Sequence, residues 1–153
     1  MMQLTLPNES HIPAIKEMVV KFFHNSPYAK LGMDHFKTDL LIDHFVNHRD
    51  PNQLLIISLT EEGKPVGIFA GHINEPLFNK TLVASEILVW VEEEGRNAGV
   101  FQDLLGAFEY WAAKCGCKLI QMQSLEGVFK DVLHEMYTKN GYTPCEYSYV
   151  KEL

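Results

Sequence analysis

The sequence predicts a mixed α/β domain of the α+β kind, and three observations predict it. Runs with apolar residues at helical spacing alternate with β-rich runs along the 153 residues. No repeat, low-complexity tract or linker divides the chain, so residues 1–153 read as one domain. Hydrophobic residues make up 46% of it, enough to bury a core without a disulfide or a structural metal.

Residues 2–6 (MQLTL) read as a first strand, stopped by Pro7. Asn8 can cap a helix whose inward residues are Ile12, Ile15, Val19, Phe22 and Phe23. A loop over Ser26–Gly32 leads to Asp34, a second cap, and to a helix with Phe36, Leu40, Leu41, Phe45 and Val46 inward. That helix ends before Asp50-Pro51. Gln53–Thr60 and Pro65–Ile73 then form a hairpin around the turn EEGK. Leu82–Val91 is a long β-rich run. From Asn97 to Lys114 an amphipathic helix carries Phe101, Leu104, Leu105, Phe108, Trp111 and Ala112 on one face, with Gly116 as its stop. Lys118–Ser124 is a further strand. A last helix over 129–140 turns Phe129, Val132, Leu133, Met136 and Tyr137 inward, and Tyr142–Val150 is expected to close the sheet.

The formal net charge of −7 and the lack of a Lys/Arg cluster argue against a nucleic-acid partner and suit a cationic or amine substrate. No apolar run reaches the ~20 residues of a spanning helix, and MMQLTLPNES lacks the pattern of a signal peptide. Cys115, Cys117 and Cys145 fit neither a redox C-x-x-C nor zinc-ligand spacing and read as reduced thiols, which points to the cytoplasm. The seven histidines show no ligand spacing, and HEMYT lacks the second histidine of H-E-x-x-H, so no metal is expected.

The informative segment is Val91-Glu92-Glu93-Glu94-Gly95-Arg96-Asn97-Ala98-Gly99-Val100-Phe101, a strand entering a turn that opens into an amphipathic helix. Such a junction gathers unpaired backbone N–H groups and the positive helix end, where a pyrophosphate fits. Neither a P-loop nor a dinucleotide-binding fingerprint is present. The plainer reading is that Gly99 only permits close packing at a helix start.

The spacing Val91-x-x-x-x-Arg96-x-x-Gly99 resembles the acyl-CoA signature of the GNAT N-acetyltransferases, Q/R-x-x-G-x-G/A. The order of elements from LTLPNESHIPAIKEM onward is similar too. So is MYTKNGYTP, which resembles that family's segment of a helix tyrosine followed by glycine and an aromatic. Small size and acidity also resemble phage acetyltransferase-like proteins. The resemblance implies a mostly antiparallel sheet flanked by helices, with β-run Leu82–Val91 splayed from Lys118–Ser124.

It also implies transfer of an acetyl group from acetyl-CoA to a primary amine by direct attack in a ternary complex. Main-chain groups near Val89 and Val91 would pair with the pantetheine amides. Arg96 takes the Q/R place and Gly99 the central glycine, and Asn97, Ala98, Val100 and Phe101 offer backbone amides. Phe101 and Asn97 depart from the family's preference for small residues. Tyr137 would protonate the leaving thiolate; a core aromatic on the inward helix face is the alternative. Glu86, a carboxylate among Ile87, Leu88, Val89, Trp90 and Val91, is the candidate general base; a solvated strand face is the alternative. Strict alternation would place Glu86 with Leu88 and Trp90, opposite Ile87, Val89 and Val91. The expected partners are acetyl-CoA and an amine-bearing small molecule or protein, and a homodimer is compatible. The rival is a non-catalytic binding or inhibitor protein of the same fold, its CoA affinity weakened by Phe101.

Overall fold

In the computed structural model, which describes residues 2–153, five strands form one sheet in the order β1-β2-β3-β4-β5. β1 is Gln3–Thr5, β2 Gln53–Leu59, β3 Pro65–Asn74, β4 Val83–Val91 and β5 Leu119–Gln121. The first three pairings are antiparallel and β4 with β5 is parallel. A parallel return needs a crossover, which a helix supplies. The helices are α1 (Ile12–Asn25), α2 (His35–Asn47), the one-turn α3 (Glu93–Arg96), α4 (Val100–Lys114) and α5 (Lys130–Lys139).

Ile15 and Met18 of α1 and Ile42 and Val46 of α2 pack on one sheet face against Ile57, Ile68 and Trp90. Val100, Leu104 and Phe108 of α4 pack on the other against Ile56, Phe69 and Val89. Each large apolar side chain so buried contributes about 1.5–3 kcal/mol, and Phe69 and Phe108 add a ring contact at 4.5 Å between centroids. The expected cap at Asp34 forms on α2, its Oδ1 accepting from Lys37 N at 3.0 Å, whereas Asn8 Oδ1, accepting from Ser10 N at 2.9 Å, caps the 3-10 turn Glu9–His11 that leads into α1.

Four expectations are corrected. In α2 the inward stripe is Thr38, Ile42, Phe45 and Val46, while Phe36, Leu40 and Leu41 are exposed. Both stripes are apolar at helical spacing, and packing on α1 and β2 selects between them. The helix expected from Asn97 starts at Val100, because α3 and a three-residue turn intervene. β5 is three residues long, not seven. Residues 142–153 form no strand. Tyr147 and Tyr149 on one face of the alternating run are 79% and 92% exposed and Val150 on the other is 61% exposed, so no sheet covers either face. The segment is held by side chains instead: Gln121 Nε2 donates to Glu146 Oε1 at 3.1 Å, and Lys30 pairs with Glu152 at 3.0 Å.

The fifth correction concerns β4. Ala70 pairs with Leu88 but Gly71 pairs with Glu86, so Ile87 is an extra residue, a bulge. Ile87 and Leu88 both pack toward the α1/α2 cluster. Glu86, opposite Gly71 and its neighbour Phe108, therefore faces α4, on the side of Val89 and Val91. Strict alternation had put it on the other face.

Candidate active site

The pairing of β4 with β5 covers only Val83 to Ser85, and the bulge follows at once. From Glu86 onward the two strands part. The antiparallel ladder fixes what the open edge offers. Glu92 N donates to Val66 O at 2.8 Å, so residues 92 and 90 point their main chain at β3, and Val91 and Val89 point theirs away from it. On the open side Val91 O accepts from Arg96 Nε at 3.0 Å, which leaves both main-chain groups of Val89 and the N–H of Val91 on that edge.

Beside this edge lies a cavity of about 310 Å³. Val89, Trp90 and Val91 form its floor. Arg96, Asn97, Gly99, Phe101 and Gln102 form one end, and Val128, Phe129, Val132, Leu133 and Met136 form the wall toward α5. The α5 residues were expected in the core; Phe129 and Val132 are instead half exposed, because their apolar surface faces the cavity.

At the cavity's end the start of α4 is uncapped. Gly99 takes φ +75°, the left-handed conformation that glycine adopts without penalty, and its carbonyl accepts the first helical bond, from Asp103 N at 3.0 Å. The amides of Gly99, Val100, Phe101 and Gln102 have no acceptor among the described residues. Ala98 N is already bonded to Gly95 O at 3.2 Å, so the available amides begin after it. Val100 is fully buried and holds the turn on the sheet, and the Phe101 ring turns inward to 6.0 Å from Tyr137. Opposite, Gln102 and Asn140 exchange two side-chain hydrogen bonds (2.8 and 3.1 Å) that tie α4 to the end of α5.

Glu86 and Tyr137 meet through the main chain of Gln123. Gln123 N donates to Glu86 Oε2 at 3.1 Å, and the Tyr137 hydroxyl donates to Gln123 O at 2.7 Å. Glu86 is 4% exposed, and burial pushes its carboxyl up to about 8, against the pull of the Gln123 amide. Burial, with the Glu86 charge behind it, raises the Tyr137 phenol well above its ordinary value. Neither side chain lines the cavity; Tyr137 stands behind Phe101, with 6.0 Å between their ring centroids, and Glu86 is joined to it through Gln123. The predicted set thus divides into a cavity group (Val89, Val91, Arg96, Asn97, Gly99, Phe101), the buried pair, and Ala98 and Val100, which serve the turn itself.

Sequence reasoning missed Trp90, Gln123 and Phe129 as site residues. The Arg96 guanidinium lies 4.5 Å from the Phe129 ring centroid and 5.6 Å from that of Trp90. A non-glycine residue at positive φ would have marked Phe129, which sits at φ +50°, but no sequence pattern announces it. Among the described residues no group of three or more His, Cys, Asp or Glu side chains could hold a metal ion. Among the described residues no helix is long and apolar enough to cross a membrane.

No curated protein matches the sequence. Solved structures match over its length. AAC(6')-Iy in complex with the bisubstrate analogue CoA-S-monomethyl-acetylneamine superposes with a TM-score of 0.77 at 15% identity, covering 100% of this chain and 98% of that one. The aminoglycoside antibiotic 6'-N-acetyltransferase AAC(6')-Ih from Acinetobacter baumannii gives 0.75 at 16% identity, covering 100% and 99%. A transcriptional regulator from Bacillus halodurans C-125 gives 0.78 at 15%, covering 100% of both chains. At these identities the likeness is one of fold. The model of the Acetyltransferase (GNAT) family matches residues 13–142, and the chain belongs to that family of acetyltransferases.

Proposed function

We propose that the protein transfers an acetyl group from acetyl-CoA to a primary amine by direct attack in a ternary complex. The observation that carries this reading is the cavity itself. One end presents the four unpartnered amides of Gly99–Gln102 at the positive end of α4, and its floor presents the Val89 main chain on an open strand edge. The first suits a pyrophosphate and the second an extended chain bearing amides. The cavity's lining is largely apolar, from Val89, Trp90 and Val91 to Val132, Leu133 and Met136.

Bound acetyl-CoA supplies an activated thioester carbonyl and a thiolate leaving group. Val89 orients the arm, and the α4 amides hold the phosphates. Glu86, pushed up to about 8, accepts the amine's proton once it is itself ionised. Tyr137 keeps its proton throughout the physiological range and donates it to the thiolate by turning its hydroxyl from Gln123 O. The inward turn of the Phe101 ring leaves its amide free at the helix end, which favours the catalytic reading over a non-catalytic binding protein.

The net charge of −7 suits a cationic acceptor. With AAC(6')-Iy and AAC(6')-Ih among the fold neighbours, amino sugars are the first acceptors to test. Acetyl-CoA at a hundredfold excess over Kd stabilises by about 2.7 kcal/mol, a rise in Tm of roughly 5–10 °C for a domain of this size. Adenosine, without the pyrophosphate, should do far less. Mass spectrometry of an amino-sugar and polyamine panel reads the transfer. No thermal shift at millimolar CoA and no acetylated amine would end this reading.

A further inference from the structure

The end of β4's open edge is closed by a side-chain stack. Arg96 folds back across the turn, and its Nε takes the carbonyl of Val91, an outward-facing acceptor that an extended ligand would otherwise use. Its guanidinium lies beside the touching Trp90 and Phe129 rings, nearer Phe129 (4.5 Å against 5.6 Å to the centroids), and no carboxylate pairs with it among the described residues. Phe129 holds that position with its backbone at φ +50°, ψ +39°, a left-handed conformation that costs a non-glycine residue about 1–2 kcal/mol. Strain of this kind persists where the surrounding structure holds it, and it clusters at ligand clamps.

We propose that Arg96 and Phe129 are positioning residues that set the register of an amide-bearing arm on β4. Arg96 caps the Val91 carbonyl and Phe129 holds the guanidinium there. With that carbonyl occupied, the edge offers the N–H and C=O of Val89 and the N–H of Val91. An arm can therefore dock in one register, with its amides against residue 89. A shift by one pair along the strand would set an amide N–H against a carbonyl that already accepts from Arg96 Nε, a second and weaker bond to one oxygen, with the Arg96 side chain in the way. This inference rests on the proposed use of acetyl-CoA. It assigns the Arg96 side chain to the strand edge that the pantetheine arm follows, through the Val91 carbonyl, and leaves the phosphates to the backbone amides at the same end of the cavity.

The test measures calorimetric affinity for acetyl-CoA and for acetyl-pantetheine, which keeps both amides and the thioester but has no phosphate. Phe129→Gly removes the ring and relieves the backbone strain, so a melting curve should stay near wild type. Arg96→Lys keeps the charge and loses Nε and the planar stack. Both are expected to weaken acetyl-CoA and acetyl-pantetheine by the same factor, about 2- to 30-fold, as a stacked cation is worth. Phe129→Tyr, which keeps the ring, should restore the affinity. Losses seen with acetyl-CoA alone would place Arg96 on the phosphates and overturn the inference. So would variants that bind both ligands like wild type, with the proposed function left standing. A wild-type protein that binds neither ligand would overturn both.

Discussion

Replacing Glu86 with glutamine should change how stability depends on pH more than it changes stability at any one acidic pH. The carboxyl is 4% exposed and burial pushes it up to about 8, whereas the unfolded chain releases the same proton near 4.5. Between those values the native state holds a proton that the unfolded state does not. Stability is therefore greatest below about 4.5 as far as this group is concerned, and falls as pH rises through the window to about 8. The slope approaches about 1.4 kcal/mol per pH unit, which accumulates to the order of 5 kcal/mol. Glutamine copies the shape of the protonated acid and can still accept from Gln123 N, so it should be near neutral at pH 5. By pH 9 it should be the more stable protein by several kcal/mol. Urea titrations of both proteins from pH 5 to 9 read this directly. If the two stability curves run parallel across the window, Glu86 is ionised in the native state and the burial argument fails. The same variant bears on catalysis: loss of the limb of the pH–rate profile that rises toward 8 is expected if Glu86 is the base.

Gly99→Ala meets no neighbouring atom, yet at φ +75° the added methyl should cost about 1–2 kcal/mol and displace the α4 amides; circular dichroism and CoA calorimetry should show a folded protein with weaker binding. Tyr137→Phe removes the hydroxyl that donates to Gln123 O, a loss of about 0.5–1.5 kcal/mol in stability, and should lower kcat by roughly 10²–10⁴ with acetyl-CoA affinity almost unchanged; ordinary turnover in the folded variant would return Tyr137 to a packing role.

Much of this architecture is legible in the sequence, for local reasons. Leu104, Leu105, Phe108 and Ala112 repeat at helical spacing and are all buried, and the caps at Asn8 and Asp34 are side-chain events within three residues. The strand–turn–helix junction at Arg96–Gly99 could be read because its chemistry is backbone chemistry at fixed spacing. What stayed hidden depends on distant partners. Helical periodicity does not separate a core wall from a cavity wall, so Val132 and Phe129 read as core. It does not choose between two stripes at helical spacing, so it favours Leu40 where packing selects Ile42. The stack of Arg96 with Phe129 joins different elements through a backbone conformation that no propensity predicts for phenylalanine. The run Tyr142–Val150 has a strand's alternation, but alternation yields a strand only where a sheet edge receives it.

The bulge at Ile87 is the least legible feature and carries the most consequence for the site. A bulge bends its strand and strengthens the local twist. Here the last β4–β5 pair is Ser85 with Gln121, one residue before Glu86 and two before the extra residue, so the strands part where the bend begins. Deleting Ile87 would leave Val89 and Val91 in their register with Phe69 and Gly67, and Glu86 still facing α4, because the extra residue is what breaks the alternation. The straightened strand could then extend its ladder to residues beyond Gln121 and fill the edge that Val89 now offers. The deletion loses one partly buried isoleucine, about 1–2 kcal/mol, and gains ladder bonds, so the fold should survive. Binding should not. Calorimetry on the folded deletion variant is expected to find acetyl-CoA affinity at least tenfold weaker, as loss of one or two hydrogen bonds to the arm implies. Wild-type affinity in that variant would mean that the cleft opens without the bulge, through the position of α5 instead.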